Sequence, residues 1–117
     1  MSVFRKLIAG KLTLSQGLRQ GYQYYIAYKE EQGMKYLVSY CYFGNKPMGS
    51  SKSDFNEIMG KLDPLLKSKI DMEKMQAGAK YFFLPKDKTT FTLQLRENGQ
   101  SFTNEVIPIS TIETYEK

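Results

Sequence analysis

Tyrosines are clustered in one part of the chain: seven of the nine lie between positions 22 and 42, interspersed with lysines. Exposed aromatic rings beside cations are the components of a nucleic-acid surface, because a base stacks on a ring, at roughly 1–3 kcal/mol per base, and a cation holds a phosphate. Tyrosine is also a good strand former whose ring often packs in a sheet with its hydroxyl in water. The cluster is therefore compatible with a binding surface and with a purely structural role.

Positive charge is concentrated in the first half of the chain. Residues 1–52 hold eight Lys or Arg against two Glu, a net charge of +6, whereas residues 53–117 hold nine Lys or Arg against ten acids, a net charge of −1. A one-sided field of this kind attracts polyanions, although scattered lysines also mark an ordinary solvated face. The candidate nucleic-acid-binding residues are Arg5, Lys6, Lys11, Arg19, Lys29 and Lys35 for phosphates, and Tyr25 and Tyr40 for stacking.

The residue types present argue against catalysis. The chain has no histidine and one cysteine, so it lacks the commonest general base, every Ser-His or Cys-His pair and a zinc ligand set. Its twelve acids include no Asp-x-Asp cluster. We therefore predict a protein that is not an enzyme and has no metal site and no cofactor.

Cellular location is predicted from two further features. Cys41, the only cysteine, cannot form an intrachain disulfide, which favours a reducing compartment. No segment approaches the roughly 20 apolar residues of a membrane span, and the amino terminus has too short an apolar stretch for a signal peptide. We predict a cytoplasmic protein with no membrane partner.

Two hairpins are predicted from alternation and turn residues. Residues 22–29 and 34–43 are rich in aromatic and β-branched residues and are joined by Glu-Glu-Gln-Gly, so Tyr25 and Lys29 should share one face of the first strand. Residues 80–84 form a short strand, and Asn98-Gly99 joins two alternating runs. Counting back from a two-residue loop pairs residue 95 with 102, 93 with 104, and 91 with 106 on the apolar face, and 92 with 105, 94 with 103, and 96 with 101 on the polar face.

Helical spacing occurs at the start and in the middle of the chain. The spacing of Val3, Phe4, Leu7 and Ile8 predicts an N-terminal helix. Thr13 or Ser15 could cap a separate, brief turn of helix. In the middle, Ser51 or Ser53 could cap a helix with an apolar stripe of Phe55, Ile58, Met59 and Leu62. Asp63-Pro64 predicts another helix through about Lys74 with Leu65, Leu66 and Ile70 inward, and Met59, Met72 and Met75 are interpreted as core residues.

These elements predict one domain spanning residues 1–117. A chain of this length can bury a single core without a disulfide or a metal, and it is too short for two ordinary domains. The expected fold class is α+β: a compact antiparallel sheet or open β-barrel, with an N-terminal helix and a central helical insert covering it.

The basic start Phe4-Arg5-Lys6-Leu7-Ile8-Ala9-Gly10-Lys11, the tyrosine-rich strands, the central helical insert and the final hairpin occur in that order. In this order of elements and in size the chain resembles the PrgU-like small cytoplasmic regulators of enterococcal conjugative plasmids. The resemblance implies a PUA-like barrel and an RNA-binding protein that restrains production of surface adhesins. It rests on no diagnostic motif, so it assigns no functional residue.

Two functions from different classes remain open. The first is a small basic RNA-binding protein that acts as a post-transcriptional regulator, whose affinity should fall steeply with salt. The second is a protein-interaction adaptor or a homodimeric module with no nucleic-acid ligand, in which exposed tyrosine and methionine side chains form the contact surface.

Overall fold

The computed structural model describes residues 13–61 and 64–113, and six strands form its single antiparallel sheet. In chain order they are β1 (Gln23–Glu31), β2 (Met34–Phe43), β3 (Lys46–Asp54), β4 (Lys80–Pro85), β5 (Thr90–Glu97) and β6 (Gln100–Pro108). Across the sheet the order is β3-β2-β1-β4-β5-β6, so β3 and β6 are its edges. The prediction of an α+β fold with an open antiparallel sheet is confirmed.

All five helices of the described residues pack on one face of this sheet. They are α1 (Leu14–Arg19), α2 (Phe55–Lys61), α3 (Pro64–Lys69), α4 (Met72–Gln76) and α5 (Ser110–Glu113). Each contributes at least one buried apolar side chain to the core that the inward-facing strand residues complete. The opposite face of the sheet, called the outer face below, is covered by none of these helices. The N-terminal helix predicted from Val3, Phe4, Leu7 and Ile8 lies outside the described residues.

Both predicted hairpins are present, and each turns through two residues with positive φ. The φ angles are 51° and 81° at Gln32-Gly33 and 53° and 81° at Asn98-Gly99. Two successive left-handed residues are the requirement of a type I′ turn, whose twist matches that of the strands it joins. Glycine adopts this conformation without steric cost, which explains its place in both turns.

The register predicted for the second hairpin is wrong beyond its first pairs. Arg96 pairs with Ser101 as expected, but a bulge follows, and Leu95 then pairs with Thr103 instead of residue 102. An extra residue in one strand shifts every later pair by one position. Ile107 is consequently the buried partner of Phe91, while Val106 is 51% exposed on the outer face.

The edge strand β3 was not predicted from the sequence. It contains Pro47 and Gly49 and no aromatic or β-branched residue, which makes it a poor strand by composition, although such residues are typical of protected edges. It pairs with β2, and the hydroxyl oxygens of Ser39 and Ser51 lie 2.6 Å apart across this pair. Because β3 extends to Asp54, the cap of α2 is Asp54, which accepts the backbone N–H of Glu57 at 2.8 Å, and the predicted caps Ser51 and Ser53 are strand residues.

The second predicted helix of the insert is two helices. The break falls at Asp71, whose side chain accepts the backbone N–H of Lys74 and caps α4. The Asp71 N–H itself donates to the hydroxyl of Tyr81 in the sheet at 2.7 Å, so it is unavailable for continuing α3. Leu66, Ile70, Met59 and Met75 are buried as predicted, whereas Leu65 and Met72 are 41% and 38% exposed, contrary to prediction, because the break changes which side faces the sheet.

Helix α1 is positioned by a close contact with β1. Of the two predicted caps, Thr13 and Ser15, the cap is Thr13: its hydroxyl accepts the Gln16 backbone N–H and the Gln16 side chain accepts that of Thr13. One turn later Gly17 faces the ring of Tyr24, and a Cβ on Gly17 would lie 1.7 Å from the Tyr24 hydroxyl oxygen and 2.7 Å from Cζ. Only a glycine lets the helix approach this ring so closely.

We therefore expect Gly17→Ala to destabilise the fold by about 1–3 kcal/mol, the usual cost of overpacking a buried contact. Urea denaturation followed by circular dichroism measures the free energy of unfolding. The matched control is Gly60→Ala in α2, where an added Cβ meets no atom within 4 Å. That change should be neutral or stabilise by about 0.4–1 kcal/mol. Equal effects of the two substitutions would contradict the importance of the Gly17–Tyr24 contact.

Candidate nucleic-acid interface

A row of aromatic rings crosses the centre of the outer face. Tyr25 in β1 pairs with Tyr40 in β2 on one side and with Phe82 in β4 on the other. Alternation along β1 places Tyr24 and Ile26 in the core and Tyr25 on the opposite face. Tyr40, Tyr25 and Phe82 are each half-buried, and they are called the aromatic row below.

The rings of the aromatic row stack on one another. Ring centroids are 4.6 Å apart for Tyr40 and Tyr25 and 5.0 Å apart for Tyr25 and Phe82, with interplanar angles of 20° and 25°. Rings lying side by side in one plane could not have centroids this close. The rings therefore stack on one another with an offset, face towards face. Both faces of the Tyr25 ring are consequently occupied by its neighbours, and Tyr42 lies beside it at 5.8 Å.

Burial within this group raises the pKa of Tyr25 from its ordinary value of 10.0 to about 12. The hydrogen bond between the Tyr25 and Tyr42 side chains, and the charge that Tyr42 and Tyr40 would carry as phenolates, act in the same direction. The Tyr25 phenol is therefore protonated throughout the physiological range. It presents an O–H group and no negative charge, so it does not repel a phosphate.

Cations extend the row towards β5. The guanidinium carbon of Arg96 lies 4.1 Å from the centroid of Phe82, and the Nζ of Lys80 lies 5.6 Å from that of Tyr25. The Arg96 Nε donates to the Gln94 side-chain oxygen, and Gln94 donates to Asn104 at 2.8 Å, which carries a polar chain across to the edge strand. Neither Lys80 nor Arg96 forms an ion pair with a carboxylate among residues 13–61 and 64–113.

Two hollows flank Phe82 on the outer face. The first, of about 260 Å³, is called the aromatic hollow and is lined by Gln23, Tyr24, Tyr25, Tyr42, Gly44, Asn45 and Phe82. The second, of about 290 Å³, is called the cationic hollow and is lined by Gly78, Lys80, Phe82, Arg96, Asn98 and Gly99. Neither lining includes a carboxylate, so no acidic side chain among the lining residues repels an anion in either hollow.

The structure brings together two of the eight residues predicted from the sequence and places a third on the same face of the sheet. Tyr25 and Tyr40 belong to the aromatic row, and Lys29 lies on the outer face near the Gln32-Gly33 turn, where its Nζ is 3.5 Å from the Glu31 carboxylate. Lys35 pairs with Glu30 in the hairpin register and so belongs to the opposite face. Arg19 also lies away from the row: it pairs with Glu113 of α5 and donates to the backbone oxygen of Lys88. Arg5, Lys6 and Lys11 lie outside the described residues.

The cations nearest the aromatic row were missed by sequence reasoning. Lys80, Phe82 and Arg96 lie in the second half of the chain, whose net charge of −1 does not indicate a basic surface. Some acids of that half form ion pairs with other lysines, such as Glu105 with Lys69 and Glu97 with Lys74. The alternation of residues 80–84 was the available signal, because Lys80 and Phe82 share a face in any strand.

Comparison of the chain with protein-family models, with curated proteins and with solved structures returns no match. Within residues 13–61 and 64–113, no group of three or more Cys, Asp or Glu side chains could hold a metal ion. In the same part of the chain, no helix is both long enough and apolar enough to cross a membrane.

The raised pKa of Tyr25 predicts a specific loss of stability at high pH. Above pH 10 the unfolded chain loses this phenolic proton while the folded protein keeps it, so the stabilising contribution is complete below pH 10 and disappears between pH 10 and about 12. Titration of phenolate absorbance should show that Tyr25→Phe removes a step near pH 12. Tyr42→Phe should move the step towards pH 10, because it removes the hydrogen bond. A Tyr25 step at or below pH 10 in the folded protein would contradict the burial of this phenol.

Proposed function

We propose that this protein binds RNA on the outer face of its sheet. The observation that carries the proposal is the aromatic row, flanked by Lys80 and Arg96 without a carboxylate partner among the described residues, on the sheet face that no described helix covers. A sheet that presents half-buried aromatic rings together with cations is a common surface for contacting bases and phosphates of an unpaired strand.

The charges around the row favour a polyanion over an apolar protein partner. Lys52 lies 4.5 Å from the ring centroid of Tyr36 further along β2, and Lys29 lies on the neighbouring strand. Glu31 is 3.4 Å and 3.5 Å from these two amines, and this pairing with both lysines lowers its pKa. Of the most exposed large apolar side chains, Val106 lies on the outer face in the edge strand β6 and Met34 at the Gln32-Gly33 end of β2, and neither pairs with a residue of the aromatic row.

A regulatory role is the second part of the proposal. The resemblance to the PrgU-like regulators of conjugative plasmids supports a cytoplasmic, post-transcriptional regulator of adhesin production. A regulator that acts by binding alone would occupy a site on the RNA or alter its structure. The alternative function is a protein-interaction adaptor, in which the same exposed rings would contact a protein.

Fluorescence anisotropy with labelled RNA tests the proposal over about 50–200 mM salt. We expect the double variant K80E/R96E to weaken binding at least tenfold and to reduce the salt slope by about 0.7 for each phosphate that the protein no longer neutralises. The matched control is K35E/K67E, which makes the same change in net charge at two exposed lysines away from the outer face.

The two double variants separate a local site from general electrostatic attraction. A site on the outer face requires a large effect of K80E/R96E and a small effect of K35E/K67E. Equal reductions in affinity would show that net charge alone drives binding and would refute the site. Absence of RNA binding by the folded wild-type protein at low salt would refute the RNA-binding function and favour the protein-adaptor function.

A further inference from the structure

We infer that the aromatic hollow is a pocket for one unpaired nucleobase, so that the ligand class is single-stranded RNA and not duplex RNA. This inference rests on the proposed function and deepens it. Four observations carry it: the occupied faces of the aromatic row, the size of the hollow, the polar groups at its rim, and its position relative to Lys80 and Arg96.

The aromatic row itself leaves little ring surface for a base. The Tyr25 ring has Tyr40 on one side and Phe82 on the other, and the guanidinium of Arg96 lies over Phe82. A base inserted between these rings would have to separate two stacked side chains. The aromatic hollow, in contrast, offers the ring of Tyr42 and the borders of Tyr25 and Phe82 without breaking the stack.

The size of the aromatic hollow suits one planar ring system. Its volume of about 260 Å³ is below the roughly 300–1,000 Å³ of sites for drug-sized ligands. The turn between β2 and β3, at Gly44 and Asn45, lines one side of the hollow at the end of the sheet. A base inside a duplex has both faces covered by its stacked neighbours, whereas an unpaired base can turn out of its strand and place a face in the hollow.

The rim of the hollow carries groups that match a base edge. The side chains of Gln23 and Asn45 are exposed amides, and each amide has both a donor and an acceptor. Amides of this kind pair with the hydrogen-bonding edges of bases, and the Watson–Crick edge is available only when a base is unpaired. The apolar walls and the two amides together provide stacking and edge recognition in one place.

The cationic hollow lies on the other side of Phe82, in line with the first. Side chains of one strand face repeat every two residues, so the rung of Gln23 and the rung of Lys80 and Arg96 are two such steps apart, roughly 13 Å. A strand whose base occupies the aromatic hollow therefore passes over the aromatic row and brings a phosphate to Lys80 and Arg96. Arg96 is oriented for this by Gln94, which accepts from its Nε.

The experiment uses an RNA of about 12 nucleotides with one 2-aminopurine at its centre, free or annealed to its complement. We expect the single strand to bind at least tenfold tighter than the duplex, with a change in 2-aminopurine fluorescence on binding. Tyr42→Ala should weaken binding of the single strand by about 5-fold to 100-fold, as expected for removal of one stacked base, and should abolish the fluorescence change. Tyr42→Phe, which keeps the ring, should retain both.

Asn45→Ala tests recognition of the base edge, because Asn45 lies in an exposed turn where truncation leaves the core untouched. It should reduce the difference in affinity among single strands that vary only in the central base. Circular dichroism and thermal denaturation establish that each variant is folded.

Two outcomes overturn the inference and are distinguishable. If duplex RNA binds as tightly as the single strand and Tyr42→Ala has no effect, while K80E/R96E still weakens binding, the base pocket is wrong and the proposed function stands. If neither RNA binds the folded wild-type protein, the proposed function and the inference built on it both fail.

Discussion

The structure depends on the fact that its central strands carry aromatic rings on both faces while helices cover only one. A strand turns successive side chains to opposite sides, so Tyr24 and Tyr25, or Phe82 and Phe83, cannot share an environment. The inner rings obtain their burial from the helical layer. The outer rings have no such layer in the described part of the chain, and they reduce their contact with water by stacking on one another.

This self-stacking restricts the space available to the side chains of the outer face. Each ring of the aromatic row contacts its neighbours, and Arg96 contacts Phe82 and Gln94, so a ligand of this face, as proposed above, would immobilise few further rotamers. The same arrangement has a chemical consequence at Tyr25, whose proton is retained because its phenolate would be poorly solvated among other rings. Packing and protonation state thus follow from one contact pattern.

Local sequence signals predicted much of the fold. Both I′ hairpins, the Thr13 cap and the α+β class follow from turn residues, capping residues and periodicity, which act within a few positions. The failures have physical reasons of longer range: β3 is held by its partner strand and not by its own composition, the bulge at the second hairpin shifts the register, and Tyr81 competes for the N–H of Asp71. Tyr25 and Tyr40 could be predicted from the sequence for the same local reasons. Phe82, Lys80 and Arg96 join them only through the pairing of β1 with β4.

The pairing of β1 with β4 determines when the outer face of the sheet forms during folding. The strand order divides the sheet into two meanders of three sequential strands, β1 to β3 and β4 to β6, each closed by short local turns. They meet along a single seam of four residue pairs, from Tyr24 with Phe83 to Ala27 with Lys80. Contacts between residues close in sequence form at low entropic cost. The seam costs more, because it closes the long loop that contains β2, β3 and the helical insert. Tyr25 and Phe82 face each other directly across this seam, so neither meander alone contains the outer surface, and that surface is complete only when this long-range pairing has formed.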